Sequence, residues 1–149
     1  MNNLDSTTVV QIGIIVKDVE KTASAYAEVF GIPKPEIVPI AGDSFANTNY
    51  RGGPSTAQGK GAFFDLGPVQ MELIEPVGAP STWVEFLRTH GQGIHHIAFK
   101  TRDMGETCNF LASKGMETIQ QGGWDGGQYA YVDCSKQLGL ILELLHNDQ

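Results

Sequence analysis

Gln11, Glu72, His96 and Glu143 are the residues of this chain whose types and spacing could do chemistry together. An amide oxygen, an imidazole and two carboxylates are donors that one divalent ion, such as Zn²⁺, Ni²⁺, Co²⁺ or Mn²⁺, accepts with positions left for water or substrate. Their register links them. Val10–Val19 lies over His95–Met104 at a constant offset of 85 with no gap, which sets Gln11 on His96. Val69–Ile74 lies over Leu140–Leu145, which sets Glu72 on Glu143. Singly, each would read as an ordinary strand residue or, for His96, a satisfied core histidine. Four such residues falling on two equivalent positions of one repeat argue for a metal site written twice.

The elements that must hold these residues follow the same repeat. A β-branched run at 9–16 leads into a helix capped by Asp18, with Val19, Ala23, Tyr26, Ala27 and Phe30 forming one apolar stripe. That helix closes on Gly31, as the second closes on Gly115, where a left-handed residue ends a helix. Strands are expected at 61–66 and 69–75, with a further one near 36–40, and the Gly-, Asn- and Ser-rich stretch from Gly42 to Gly61 reads as an irregular loop. Thr82 with Glu85 resembles a capping box for a short helix at 81–90 carrying Trp83, Phe86 and Leu87. Asp103 with Glu106 does the same for a helix at 104–114. Gly122–Gly127 reads as a turn before strands at 128–133 and 139–145, so the second copy shows no clear third strand. The fold class is α+β: two pseudo-symmetric βαβββ modules, about 8–76 and 93–146, forming one domain (1–149) whose half-open, curved mixed β-sheet surrounds a metal cavity.

Alternation along strands gives these residues a common face. Gln11 projects with Gly13 and Ile15, and His96 with Ala98 and Lys100, so a small residue stands beside each polar one and leaves room. Glu72 projects with Gln70 and Ile74, and Glu143 with Ile141 and Leu145. Carboxylates set this closely among apolar residues are costly unless paired or metal-bound. His95, one residue out of phase, is expected on the opposite side as a structural residue, and His90 and His146 as solvated ones.

Composition narrows the partners. At 149 residues and 41% hydrophobic, the chain suffices for one compact core. A net charge of −7 with scattered Lys and Arg opposes nucleic acid and anionic membranes and favours a small-molecule ligand. No apolar run reaches bilayer length and the N-terminus lacks a signal-peptide layout, so a soluble cytoplasmic protein is expected. Cys108 and Cys134 lack metal-type spacing and read as free thiols. Glu72 follows Gln11 by 61 residues but Glu143 follows His96 by 47, and the 14 extra residues fall in the 42–61 loop, expected to face substrate. Tyr50 and Arg51 there, and Lys100 on the His96 face, are candidate ligands for an anionic substrate.

These residues carry a family resemblance over about Val9–Leu145. The chain resembles the vicinal oxygen chelate superfamily, also called the glyoxalase, bleomycin-resistance and extradiol dioxygenase superfamily. Glu72-Leu73-Ile74-Glu75-Pro76, the helix with Phe86-Leu87, Gly93-Ile94-His95-His96-Ile97-Ala98 and Asp103 are similar to methylmalonyl-CoA epimerases. Those enzymes usually carry histidine where this chain has Gln11, whereas Gln, Glu, His, Glu in that order resembles the ligand set of some glyoxalase I enzymes. The resemblance implies one divalent ion that stabilises the enediolate formed when a base removes a proton beside a carbonyl. It also implies that a metal-bound carboxylate can leave to act as that base, Glu143 first and Glu72 second. Epimerases of this type are thought to use a further glutamate after the first helix, a region that here offers Glu36 and Asp43. Expected accordingly is an epimerase or isomerase acting on an acyl-CoA, with a homodimer as its assembly. The alternatives are a lactoylglutathione lyase acting on a thiol adduct, and a non-enzymatic drug-binding resistance protein using Trp83, Trp124 and Tyr129.

Overall fold

A computed structural model of the chain describes residues 2–148. Its strands are β1 (Gln11–Ile15), β2 (Val38–Ile40), β3 (Asn49–Tyr50), β4 (Gly53–Pro54), β5 (Gln58–Leu66), β6 (Val69–Val77), β7 (Gly93–Lys100), β8 (Thr118–Trp124), β9 (Gly127–Cys134) and β10 (Leu140–Asn147). The helices are α1 (Val19–Phe30), α2 (Thr82–His90), α3 (Met104–Ser113) and α4 (Ser135–Leu138). All ten strands form one mixed sheet in the order β2-β5-β6-β1-β7-β10-β9-β8-β3-β4.

The sheet has two halves that meet where β1 runs antiparallel to β7. Within the halves, β1 pairs in parallel with β6, and β7 in parallel with β10. The local chemistry repeats as well. Asp18 caps α1 with φ −142° and ψ 98°, and Asp103 caps α3 with φ −139° and ψ 99°, each accepting an N–H from the third helical residue, Lys21 or Glu106. Gly31 ends α1 in the left-handed region at φ 66°, a conformation that glycine adopts without a Cβ penalty.

The outer face of each half is covered by a helix. Val19 and Ala23 of α1 pack on Ala62, Phe64, Met71 and Leu73, and Met104 and Leu111 of α3 pack on Ala130, Val132, Leu142 and Leu144. The concave face takes α2 instead, whose Trp83 is buried among Ile15, Ile74, Ile119, Tyr129 and Tyr131. Burying these apolar surfaces is the main force holding the curved sheet to its helices.

Three expectations are corrected. The second module does have its third strand: β8 runs through Thr118–Trp124, and the Gly122–Gly127 turn shrinks to Asp125-Gly126. Ser81, not Thr82, caps α2 by accepting from the Val84 N–H, one residue ahead of the expected capping box, and Glu85 bonds to Tyr50 and Arg51 instead of the cap. The 42–61 loop is partly ordered pairing. It leaves β2 at the β5 edge, and β3 then pairs with β8 at the other end of the sheet, so the segment straddles the open side.

Candidate functional site

The meeting of β1 and β7 builds the site. Gln11 stands opposite Ala98 and Gly13 opposite His96, so each polar residue faces the small residue of the other half. Gly13 also pairs with Glu72 on β6, and Ala98 with Glu143 on β10. A Cβ on Gly13 would stand 2.0 Å from the His96 ring, so glycine is what admits the imidazole. The four sequence-predicted donors therefore come together. His96 Nε2 lies 3.2 Å from Gln11 Oε1, 3.3 Å from Glu143 Oε1 and 3.5 Å from Glu72 Oε1.

Burial dominates the electrostatics, with His96 at 0%, Glu143 at 4% and Gln11 and Glu72 at 7% exposure. Loss of water pushes the Glu72 carboxyl up to about 8 and the His96 imidazole down to about 3. Glu143 is raised well above the carboxylate range, by burial first and then by the Glu72 charge, while the Tyr131 hydroxyl bonds to it and pulls the other way. Its Oε1 has no hydrogen-bond partner, a costly state for a buried acceptor.

Two neighbours orient the donors. Gln11 Nε2 donates to Gln70 Oε1 at 2.8 Å, which turns the Gln11 oxygen toward His96. His95 Nδ1 lies 2.9 Å from His96 Nδ1. With a cation on Nε2, His96 would carry its proton on Nδ1 and donate that N–H to His95 Nδ1. This overturns the placing of His95 on the opposite side. The β1–β7 register shifts between Gly13 and Ile14, which pair with His96 and Ile94, and the extra residue His95 is the bulge that breaks alternation. His95 packs edge-on against Phe86 and Tyr131, within the concave side.

A divalent ion fits these donors on three observations: an orphaned carboxylate oxygen, a cradle that a Cβ would fill, and acceptors gathered around one imidazole nitrogen. Donor atoms bound about 2.0–2.2 Å from one ion stand about 3–3.5 Å apart, the range of separation seen about His96 Nε2. Among the described residues no group of three His, Cys, Asp or Glu side chains meets the geometry for holding a metal ion outright, so small carboxylate movements and the Gln11 amide are needed to complete the set.

A cavity of about 510 Å³ opens beside His96 and His95, lined also by Phe86, His90, Glu85, Arg51, Asp133 and Ile141. Arg51 is its one Lys or Arg among the lining residues. Tyr50 and Arg51 both bond to Glu85 of α2: the Tyr50 hydroxyl donates to Oε2, and Arg51 Nη2 donates to Oε1 at 2.7 Å. Lys100 lines a different cleft of about 420 Å³ with Asp5, Arg102 and His146. Glu36 and Asp43 are exposed, and Asp43 accepts from the Phe45 N–H. Trp83 and Tyr129 are buried and hydrogen-bonded, Trp83 to Tyr131 and Tyr129 to Gln120. Cys108 and Cys134 are free thiols. No helix among the described residues is long and apolar enough to cross a membrane.

Gln70, His95 and Tyr131 are the site residues that sequence reasoning passed over as actors. Gln70 was legible as a same-face neighbour of Glu72, but its partner across β1 was not. Tyr131 depends on the β9–β10 register, which sets it opposite Glu143.

Known proteins resemble this chain in sequence or in fold. Among curated relatives, the uncharacterized protein YqjC of Bacillus subtilis is 36% identical over 86 residues, covering 56% of this chain and 61% of its own. The mitochondrial methylmalonyl-CoA epimerase of Mus musculus is 27% identical over 109 residues, covering 72% of this chain and 53% of its own length. The matched region thus spans between about half and three fifths of these relatives. The crystal structure of methylmalonyl-CoA epimerase from Mycobacterium tuberculosis superposes with a TM-score of 0.66 at 17% identity, over 100% of this chain and 93% of that one, a likeness of fold. Residues 10–131 match the model of the glyoxalase/bleomycin resistance protein/dioxygenase superfamily, and the chain belongs to that superfamily.

Proposed function

We propose that this protein is a divalent-metal-dependent enzyme that removes a proton beside a carbonyl, acting as an epimerase on a methylmalonyl-CoA-like thioester. The observation that carries the reading is the convergence of two buried carboxylates and an amide oxygen on His96 Nε2; of these four residues His96 lines the cavity that also reaches Arg51. Gln11, Glu72, His96 and Glu143 would hold the ion, which when bound supplies electrostatic stabilisation to the oxyanion that develops as the proton leaves.

The chain's own residues do the rest. Glu143 is the first candidate base: its Oε1 lacks a partner, and the Tyr131 hydroxyl steadies the carboxylate as it gains and loses the proton. Glu72, its equivalent across the pseudo-twofold, is the second candidate base and would serve a second proton position. Arg51 takes the free carboxylate of the substrate in place of Glu85, with the Tyr50 hydroxyl as a second donor. Phe86 and Ile141 line the cavity and would shield the reacting carbon from water. Lys100, four residues and about 13 Å along β7 from His96, suits the anionic end of a long carrier.

The order Gln, Glu, His, Glu favours a second reading, a glyoxalase-type lyase acting on the thiol adduct of a 2-oxoaldehyde. One assay separates the two. Metal-loaded protein in deuterated water is given methylmalonyl-CoA or, separately, methylglyoxal with a thiol. Deuterium at the carbon between the carbonyls supports the epimerase, turnover of the adduct alone supports the lyase, and neither leaves a binding protein.

A further inference from the structure

We infer that Gln70 is the positioning residue that keeps the Gln11 amide oxygen turned into the donor cluster, an inference that rests on the metal-dependent reading for its purpose. A glutamine side chain can present either an acceptor oxygen or a donor NH₂ at nearly the same cost in shape. The Gln11 amide faces His96 Nε2, the same nitrogen on which two carboxylates converge, including the unpartnered Glu143 Oε1. Left to itself, the amide would gain by turning its NH₂ toward those carboxylates, which would satisfy them without a cation and remove one of its four ligands. Gln70 opposes that turn. Its Oε1 takes the Gln11 N–H at 2.8 Å and leaves the Gln11 oxygen 3.2 Å from His96 Nε2.

The placement is built into the sheet. Gln11 and Gln70 are paired neighbours in the parallel β1–β6 register, side by side on the concave face. At the equivalent place in the other half, Ile141 pairs with His96, and the imidazole is steadied instead by His95 through the β7 bulge. Each half thus holds its neutral donor by its own device: an amide acceptor where the donor can turn over, and a second imidazole where it can change tautomer.

Two variants and two readouts test this. Gln70→Glu can only accept and should hold Gln11 as it is; Gln70→Leu cannot accept at all. In metal-free protein, ¹⁵N spectra should show slow exchange of the Gln11 side-chain NH₂ in the wild type and in Gln70→Glu, and exchange as fast as that of exposed glutamines in Gln70→Leu. Zn²⁺ affinity, read by competition with a chromophoric chelator, should fall about 10–100-fold in Gln70→Leu, be retained in Gln70→Glu, and fall no further when Gln70→Leu is added to Gln11→Ala. Fast exchange of the Gln11 amide in the wild type, or an equal loss of affinity in the Gln11→Ala background, would overturn the role of Gln70. Absence of Zn²⁺ binding by the wild type would instead strike the proposed function, and the exchange data would decide Gln70 alone.

Discussion

Gly13 gives the His96 ring the space it occupies, and a single methyl group there would collide with it. Gly13→Ala should therefore displace the imidazole and lower Zn²⁺ affinity at least tenfold, measured by chelator competition, with a loss of about 1–3 kcal/mol in denaturant unfolding. Titration of the metal-free protein should also report the buried carboxylate. The Glu72 carboxyl is raised to about 8 from 4.5, so its contribution to stability is whole below about pH 4.5 and is lost as pH rises through 8. The His96 imidazole is lowered to about 3 from 6.5, so its contribution is whole above 6.5 and is lost as pH falls toward 3. Above pH 6.5 the His96 contribution is constant, and the two raised carboxyls, Glu72 and Glu143, both release protons more readily in the unfolded chain, so the metal-free protein should lose stability as pH rises from 6.5 to 8. Zn²⁺ should flatten or reverse the trend, because a metal competes with the proton for the carboxylate. Glu143→Gln should lower deuterium exchange about 10²–10⁴-fold in kcat. The convergence of Gln11, Glu72 and Glu143 on His96 was legible because register, rather than chemistry, links the four. The His95 placement was not legible, since one bulged residue cancels the period of two on which alternation depends.

The elements around the site divide into those that form it and those that cover it. β1, β6, β7 and β10 carry the donors. β3, β4 and α2 cover the concave side, tied by Tyr50 and Arg51 to Glu85. The tie is partly exposed, with side-chain exposures of 47% for Arg51 and 38% for Glu85, so it contributes little to global stability and mainly fixes the position of the hairpin. Glu85→Ala should raise amide exchange at Arg51, whose N–H donates to Ile119, while Ile12 and Ile14 in β1 stay protected. Ser81→Ala should cost about 1 kcal/mol through loss of the α2 cap. The helices and long strands could be read from periodicity and caps, as Asp18, Asp103 and Gly31 illustrate. β8 could not, because Thr-Ile-Gln-Gln-Gly-Gly-Trp has neither alternation nor β-branched density. Its conformation comes from pairing on both edges, with β9 and β3.

At the scale of the whole molecule, two repeats pack about the β1–β7 seam and bring to one place what the sequence holds 132 residues apart, from Gln11 to Glu143. The sheet buries those four side chains deeply, a state costly for uncompensated carboxylates, and the proposed cation would offset that cost. The two-module architecture was legible from the offset of 85, while the crossing of the 42–61 segment from one sheet edge to the other depends on contacts between the halves that no local pattern records. The most direct test is the metal content of protein purified without chelators and reloaded with Zn²⁺, comparing the wild type with His96→Ala and Glu72→Ala. The proposed metal-dependent function predicts about one ion per chain in the wild type and less than about a tenth of that in each variant. A wild type that takes up no divalent ion, or variants that hold it as well, would contradict the metal centre and the proton chemistry built on it.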